Sequence, residues 1–380
     1  MRVLFINFTI LLIILFSPAL FYQIYKIFKI QFTQSSNQKI DARANYPTYD
    51  NRQFADEIFA EYNQISSKYR SFLGWRNEKL NLKYTNISGP YSVRKSKGEA
   101  LNKSVWFFGG STMLGVGVSD SQTIPSHFNS LSNTPVYNFG VVGWNSRQSL
   151  NQLINVIGDG HKPSIVVFYD GVNDVFHQCR KEIQLLPAHN REQQLQNSLK
   201  GPSIQSIKKN ILITILAPYI AFSDKLGVRL PFNNLVNPND VGTFADFWKD
   251  LYDCDTNQLK AELIAKHLVN NWQTAYALSK IKGFELYGIL QPTLFSTKTN
   301  SEYLTNIEGH PVLKRQYDTV YPLILKEIKS QCEYDKDFCS FMINGTDWLD
   351  GRKNVFIDFN HVNSLGNKLI AKRIKSLLKN

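Results

Sequence analysis

Two short segments carry residue types that together perform nucleophilic chemistry. The first is Gly109-Gly110-Ser111-Thr112, directly after the apolar run SVWFF. Small glycines let a serine turn sharply off a strand end with its hydroxyl exposed, although an ordinary strand-to-helix turn has the same composition. The second is Asp358-Phe359-Asn360-His361, just before the last helical stretch of the chain. A serine hydroxyl needs a base to take its proton, and the base needs an orienting carboxylate. Three-residue spacing on a helical turn puts Asp358 and His361 on one side, within reach of each other. The serine segment is not a phosphate loop, because no Lys follows the glycines. Nor is it a G-x-S-x-G elbow, because Met113 stands where the second glycine belongs.

Two further segments supply hydrogen-bond donors. Asn138-Phe139-Gly140 follows PVY, and Gly171-Val172-Asn173-Asp174 follows SIVVFYD. A developing oxyanion needs fixed N–H groups that converge on it, from a glycine backbone that permits close approach and from an amide side chain. Each segment by itself also reads as a turn with Asx capping.

The elements that must position these groups are legible as short apolar runs. SVWFF, PVYNF, SIVVFY, FELYGIL and NVFID are rich in β-branched and aromatic residues, apolar on both faces, and end at Gly, Asn or Asp. Such runs suit strands of a parallel sheet covered on both sides. Helical stretches separate them: SRQSLNQLINVI, then NQLKAELIAKHLVNNWQTAYALSK with Leu259, Leu263, Leu268 and Trp272 at roughly helical spacing, and finally HVNSLGNKLIAKRIKSLL. The alternation predicts a doubly wound α/β domain with the chemistry at the carboxyl ends of its strands. About residues 176–282 lie between the third and fourth runs, more than a crossover helix needs. This insertion, expected to be mainly helical, contains ILITILAPYIAF, too short for a membrane span and read as a buried helix in preference to an apolar lid.

The four segments, in this order, resemble the four sequence blocks of the SGNH/GDSL hydrolase superfamily. Ser111 matches the block I serine, Gly140 the block II glycine, Asn173 the asparagine of GxND, and Asp358 with His361 the DxxH block. One departure stands out: Gly110 replaces the Asp of the family's GDS, which is not a triad member, so packing beneath the serine is expected to differ. The resemblance implies a three-layer α/β/α, flavodoxin-like fold with a central parallel sheet. It further implies ester cleavage through an acyl-enzyme, with Ser111 as nucleophile, His361 as base and Asp358 orienting it. The Ser111 amide, the Gly140 amide and the Asn173 side chain would then hold the oxyanion, with no metal or organic cofactor. A GWR stretch and YDGVND block resemble membrane-tethered bacterial members linked to surface polysaccharides, where removal or transfer of acetyl groups is expected. An O-acyltransferase, a lipid esterase or thioesterase, and a non-catalytic glycan-binding or assembly factor are the competing readings.

Composition bounds the setting. The chain has 380 residues and a formal net charge of +12, with Lys and Arg scattered and no nucleic-acid motif, so nucleic acid is discounted. Val3 to Ile24 carries no charge and is long enough to span a bilayer. Residues 1–30 are therefore expected to be a membrane anchor, or a cleaved signal segment, as Ser17-Pro18-Ala19 resembles a cleavage site. Residues 31–100 read as a linker and extension, and 101–380 as the hydrolase domain, placed outside the cytoplasm. The four cysteines all follow the apolar segment. Cys332 and Cys339 are spaced for a local loop closure, leaving Cys179 with Cys254, although four cysteines allow three pairings and reduced thiols are the alternative.

Overall fold

A computed structural model describes residues 41–184, 186, 187, 189, 192, 251–304 and 310–378. They belong to one of two compact units, Ile40–Gln193 with Trp248–Asn380. The apolar N-terminal stretch, the segment ILITILAPYIAF and most of the expected insertion lie outside the described residues. Among the described residues, no helix is long and apolar enough to cross a membrane.

In chain order the strands are β1 (Ser67–Arg70), β2 (Gly74–Asn77), β3 (Leu80–Asn81), β4 (Asn86–Ser88), β5 (Val93–Arg94), β6 (Val105–Gly109), β7 (Val136–Gly140), β8 (Ile165–Asp170), β9 (Glu285–Leu290) and β10 (Met342–Asn344). The α-helices are α1 (Arg52–Tyr62), α2 (Ser111–Leu114), α3 (Ile124–Ser132), α4 (Ser146–Gly158), α5 (Val172–Gln178), α6 (Gln258–Lys282), α7 (His310–Tyr334), α8 (Lys336–Phe341) and α9 (Ser364–Leu377). β1 and β2 form a separate hairpin, and the other strands make one sheet in the order β10-β9-β8-β6-β7-β5-β4-β3. The five strands from β10 to β7 are parallel. Counted along the chain from β6, their order is 2-1-3-4-5, the doubly wound arrangement whose site lies where the strand order reverses.

The apolar runs are apolar throughout because the sheet is covered on both faces. Along β6, Trp106 and Phe108 point into one core with Phe139, Phe168 and the helix residues Leu268 and Trp272. Val105 and Phe107 alternate to the other face and pack with Phe128 of α3 and Ile370 and Ile374 of α9. The result is the expected three-layer α/β/α arrangement.

Three expectations need correction. The sheet is mixed, not parallel: β5 runs antiparallel to β7, and β4 and β3 continue antiparallel from it, so residues 80–94 extend the main sheet. The run NVFID is not a strand. Val355, Phe356 and Ile357 are fully buried, but in a loop, and the fifth parallel strand is the three-residue β10 instead. On α6, Leu259 and Leu263 face solvent, and Ala261, Ile264, Leu268 and Trp272 form the buried face. Both disulfides join the expected partners, Cys179 with Cys254 and Cys332 with Cys339.

Candidate active site

Ser111 is the first residue of α2, immediately beyond the carboxyl end of β6. Its Oγ lies 2.8 Å from His361 Nε2. On the other side of the ring, His361 Nδ1 lies 2.7 Å from Asp358 Oδ2 and 2.9 Å from Oδ1. A carboxylate against Nδ1 favours the tautomer with its proton there, which leaves Nε2 to accept the Ser111 hydroxyl proton. The three residues come together as the sequence spacing predicts, but not on a helical turn. Asp358 Oδ1 instead accepts the backbone amides of Asn360 at 3.0 Å and His361 at 2.8 Å. This Asx turn brings the imidazole back over its own carboxylate. Phe359, between them, stacks on Phe176 and Phe295 and pins the turn.

Burial alone would raise the Asp358 pKa. The neighbouring His361, the Arg43 guanidinium 3.0 Å from Oδ2 and the backbone amide outweigh burial, and they hold the carboxyl below the usual carboxylate range. Asp358 is thus ionised wherever the site operates.

Asn173 sits one residue into α5, after a turn at Gly171 whose φ of +114° suits glycine alone. Its Nδ2 donates to Trp144 O at 2.7 Å and packs against the α-carbon of Gly110, next to the nucleophile. One proton of the amide remains to donate elsewhere. The turn is locked by Asp174, which accepts from Ser146 Oγ at 2.6 Å and from the Gly171 amide at 3.3 Å.

Gly140 does not meet the expectation. Its amide already donates to Asn138 Oδ1 at 2.9 Å. Its α-carbon lies beneath the backbone of Met113 and Leu114, where a side chain would have no room. The glycine is there so that α2 can pack on the end of β7, and its N–H is committed. The following loop, 141–145, is the part of this segment that reaches Asn173, through the Trp144 carbonyl.

Arg43, Gln148 and His189 gave no signal in the sequence as parts of the site. Arg43 approaches Asp358 from a chain distance of 315 residues. The GWR stretch works through its backbone and indole: Trp75 Nε1 donates to Val142 O and Trp144 Nε1 to Trp75 O, each at 3.0 Å. Gln148 Nε2 adds a bond to Leu73 O at 2.8 Å, and a nitrogen of His189 lies 2.9 Å from Gly143 O. The hairpin of the N-terminal extension therefore grips the loop that holds Asn173.

The family model for GDSL-like lipase/acylhydrolase matches residues 105–374. Among solved structures, the chain is similar to a lipolytic protein of the G-D-S-L family from Desulfitobacterium hafniense DCB-2, with 11% identity, 73% of this chain and 100% of that chain covered, and a TM-score of 0.37. It is similar also to a G-D-S-L family member from Veillonella parvula DSM 2008, at 12% identity, covering 72% of this chain and 96% of that chain, with a TM-score of 0.35. A third is the acetyl xylan esterase AlAXEase, at 13% identity, 72% and 99% coverage, and a TM-score of 0.31. No curated protein matches in sequence.

Proposed function

Since the chain belongs to the GDSL-like lipase/acylhydrolase family and is a serine hydrolase acting on esters, we propose that Ser111, His361 and Asp358 cleave small acyl esters, acetyl above all, carried on carbohydrate. The observation that carries the reading is the 2.8 Å approach of Ser111 Oγ to His361 Nε2, with Asp358 against the opposite ring nitrogen.

In the first half-reaction Ser111 Oγ bonds to the acyl carbon while its proton passes to His361 Nε2. Asp358 holds the ring and stabilises the imidazolium. The oxyanion is met by the Ser111 amide at the α2 N-terminus and by the free proton of Asn173 Nδ2. With Gly140 committed, we assign the third donor to the next loop. There Gly143, at φ +78°, immediately precedes the carbonyl that anchors Asn173. Collapse breaks the bond to the alcohol oxygen, which leaves with the proton from His361. Water, deprotonated by the same nitrogen, then attacks the acyl carbon, releases the acid and returns the proton to Ser111.

Two observations support the finer reading. Ser111 is only 7% exposed and His361 9%, and a pair so buried favours a small acyl group. The GWR stretch and YDGVND block resemble tethered members linked to surface polysaccharides. The two disulfides and the apolar N-terminal stretch support a membrane-attached domain outside the cytoplasm.

The test is labelling of the full chain with a fluorophosphonate probe, beside acetate release from acetylated polysaccharide. Wild type is expected to label and release acetate. Ser111→Ala is expected to do neither while keeping its thermal midpoint. Acetate release at the wild-type rate by Ser111→Ala would defeat the assignment.

A further inference from the structure

We propose that Arg43 and Asp41 form a charge pair that positions the Asp358 carboxylate and sets the pH range over which His361 serves as base. The proposal rests on the Ser111–His361–Asp358 reading above.

Arg43 is held on three sides. Its Nε and Nη2 fork onto Asp41 at 3.0 and 2.8 Å, its guanidinium carbon lies 4.5 Å over the Phe59 ring, and Nη1 donates to Asp358 Oδ2 at 3.0 Å. A fork to a carboxylate together with an aromatic face is a geometry that Arg meets and Lys does not. Oδ2 is also the oxygen 2.7 Å from His361 Nδ1. Asp41, Arg43, Asp358, His361 and Ser111 therefore form one row of alternating charge that ends on the nucleophile.

The cation has two effects on the imidazole. It fixes the rotation of the carboxylate, so that Oδ2 stays on the ring. It also offsets part of the negative potential that the Asp358 carboxylate presents to the ring, and removing either charge changes that balance. Asp41 moderates that second effect. Other groups facing Asp358 are the phenols of Tyr46, Tyr49 and Tyr317, each pushed up chiefly by burial and therefore neutral across the working range. Arg43 itself stays charged: burial opposes its cation, but Asp41 and Asp358 more than compensate. Arg43 and Asp41 are thus charges beyond the triad that act on the Asp358 carboxylate.

The full chain is assayed on p-nitrophenyl acetate, with kcat/KM followed from pH 4 to 9 for wild type, Arg43→Gln, Arg43→Lys and Asp41→Asn. Arg43→Gln is expected to move the acid limb to higher pH by about 0.5 to 1 unit, the scale of one nearby, partly screened charge. Asp41→Asn is expected to move it the other way. Arg43→Lys keeps the limb near its wild-type position and lowers kcat, because charge is retained and the fork is lost. Shifts of opposite sign do not arise from a purely structural role. Limbs that stay in place, or move together, overturn the proposal. If Arg43→Gln fails to fold by circular dichroism, Asp41→Asn decides, since it leaves the guanidinium on Phe59. Ser111→Ala is run alongside: activity surviving in it would bring down the hydrolase reading itself. Loss in Ser111→Ala with unmoved limbs would remove the charge-pair proposal alone.

Discussion

The Asn173 side chain occupies the space that a β-carbon at Gly110 would need. A methyl group there would collide with Asn173 Nδ2 and come within 3.1 Å of the Trp144 carbonyl that anchors it. The glycine that departs from the family's GDS motif is therefore a steric requirement of this site. Its own φ of −83° is open to any residue, so the constraint is contact and not conformation.

From this follows the first prediction. Gly110→Ala should fold normally, because the displaced atoms end a side chain, but it should push Asn173 off Trp144 and out of the oxyanion site. The expected loss in kcat is roughly a hundredfold to a thousandfold, the usual cost of one oxyanion donor. Asn173→Ala should cost the same, and the double variant should be no worse than either single one. Steady-state kinetics on the three variants test this. Losses that multiply would show that Gly110 and Asn173 act separately, and a Gly110→Ala enzyme at full rate would refute the steric argument.

How much could be read without the fold depended on range. β6, β7, β8 and β9 were legible because strands buried on both faces leave uninterrupted apolar runs. NVFID left the same trace for a different reason: Val355, Phe356 and Ile357 are buried in a loop, the first two in the core that holds Val105 and Phe107. β3, β5 and β10 span only two or three residues, below the length at which periodicity carries information. In the site, Asp358 and His361 were legible because their coupling is local, through an Asx turn. Gly140 was misassigned because β7 ends on one glycine and a second, Gly143, follows three residues later, and only the bond to Asn138 shows the first to be committed. Arg43 could not be found at all, since nothing near it in the sequence indicates a partner at position 358.

The second prediction concerns the buried acid pair behind Asn173. Asp170 is fully enclosed, with Ser149 Oγ at 3.2 Å and Trp272 Nε1 at 3.2 Å, and Asp174 lies nearby. Burial first, and the charge of Asp174 second, push the Asp170 carboxyl well above its usual value. A carboxyl raised in the folded state contributes its full stability below the unfolded value near pH 4, and loses it as pH climbs toward the folded value. In Asp170→Asn the amide oxygen accepts from Trp272 Nε1 and the amide nitrogen donates to Ser149 Oγ, so both contacts persist with the serine bond reversed, and the side chain does not titrate. Wild type and variant should have similar thermal midpoints near pH 4. Above that the variant should gain about 1.4 kcal/mol per pH unit over wild type until Asp170 ionises in the fold. Unfolding curves at pH 4, 5, 6 and 7 measure the gap, and a gap independent of pH would show that Asp170 is ionised in the native protein.

The third prediction separates the two disulfides. Cys179 follows α5, the helix that carries Asn173, and joins Cys254 just before α6, across 75 residues of chain; Cys332 and Cys339 are separated by 7. Chain entropy alone makes the longer loop worth about 4.5 kcal/mol and the shorter about 2.4 kcal/mol. Cys179→Ala with Cys254→Ala should therefore lower the denaturation midpoint more than Cys332→Ala with Cys339→Ala. The first pair also ties down the end of α5, so its loss should reach Asn173 and reduce kcat several-fold. The second pair closes the α7–α8 corner, away from Ser111, and its loss should leave kcat unchanged. Guanidinium unfolding and esterase assays on both double variants give the answer. Equal midpoints together with equal kcat would mean that the Cys179–Cys254 bridge neither constrains the unfolded chain more strongly nor holds the Asn173 helix in place.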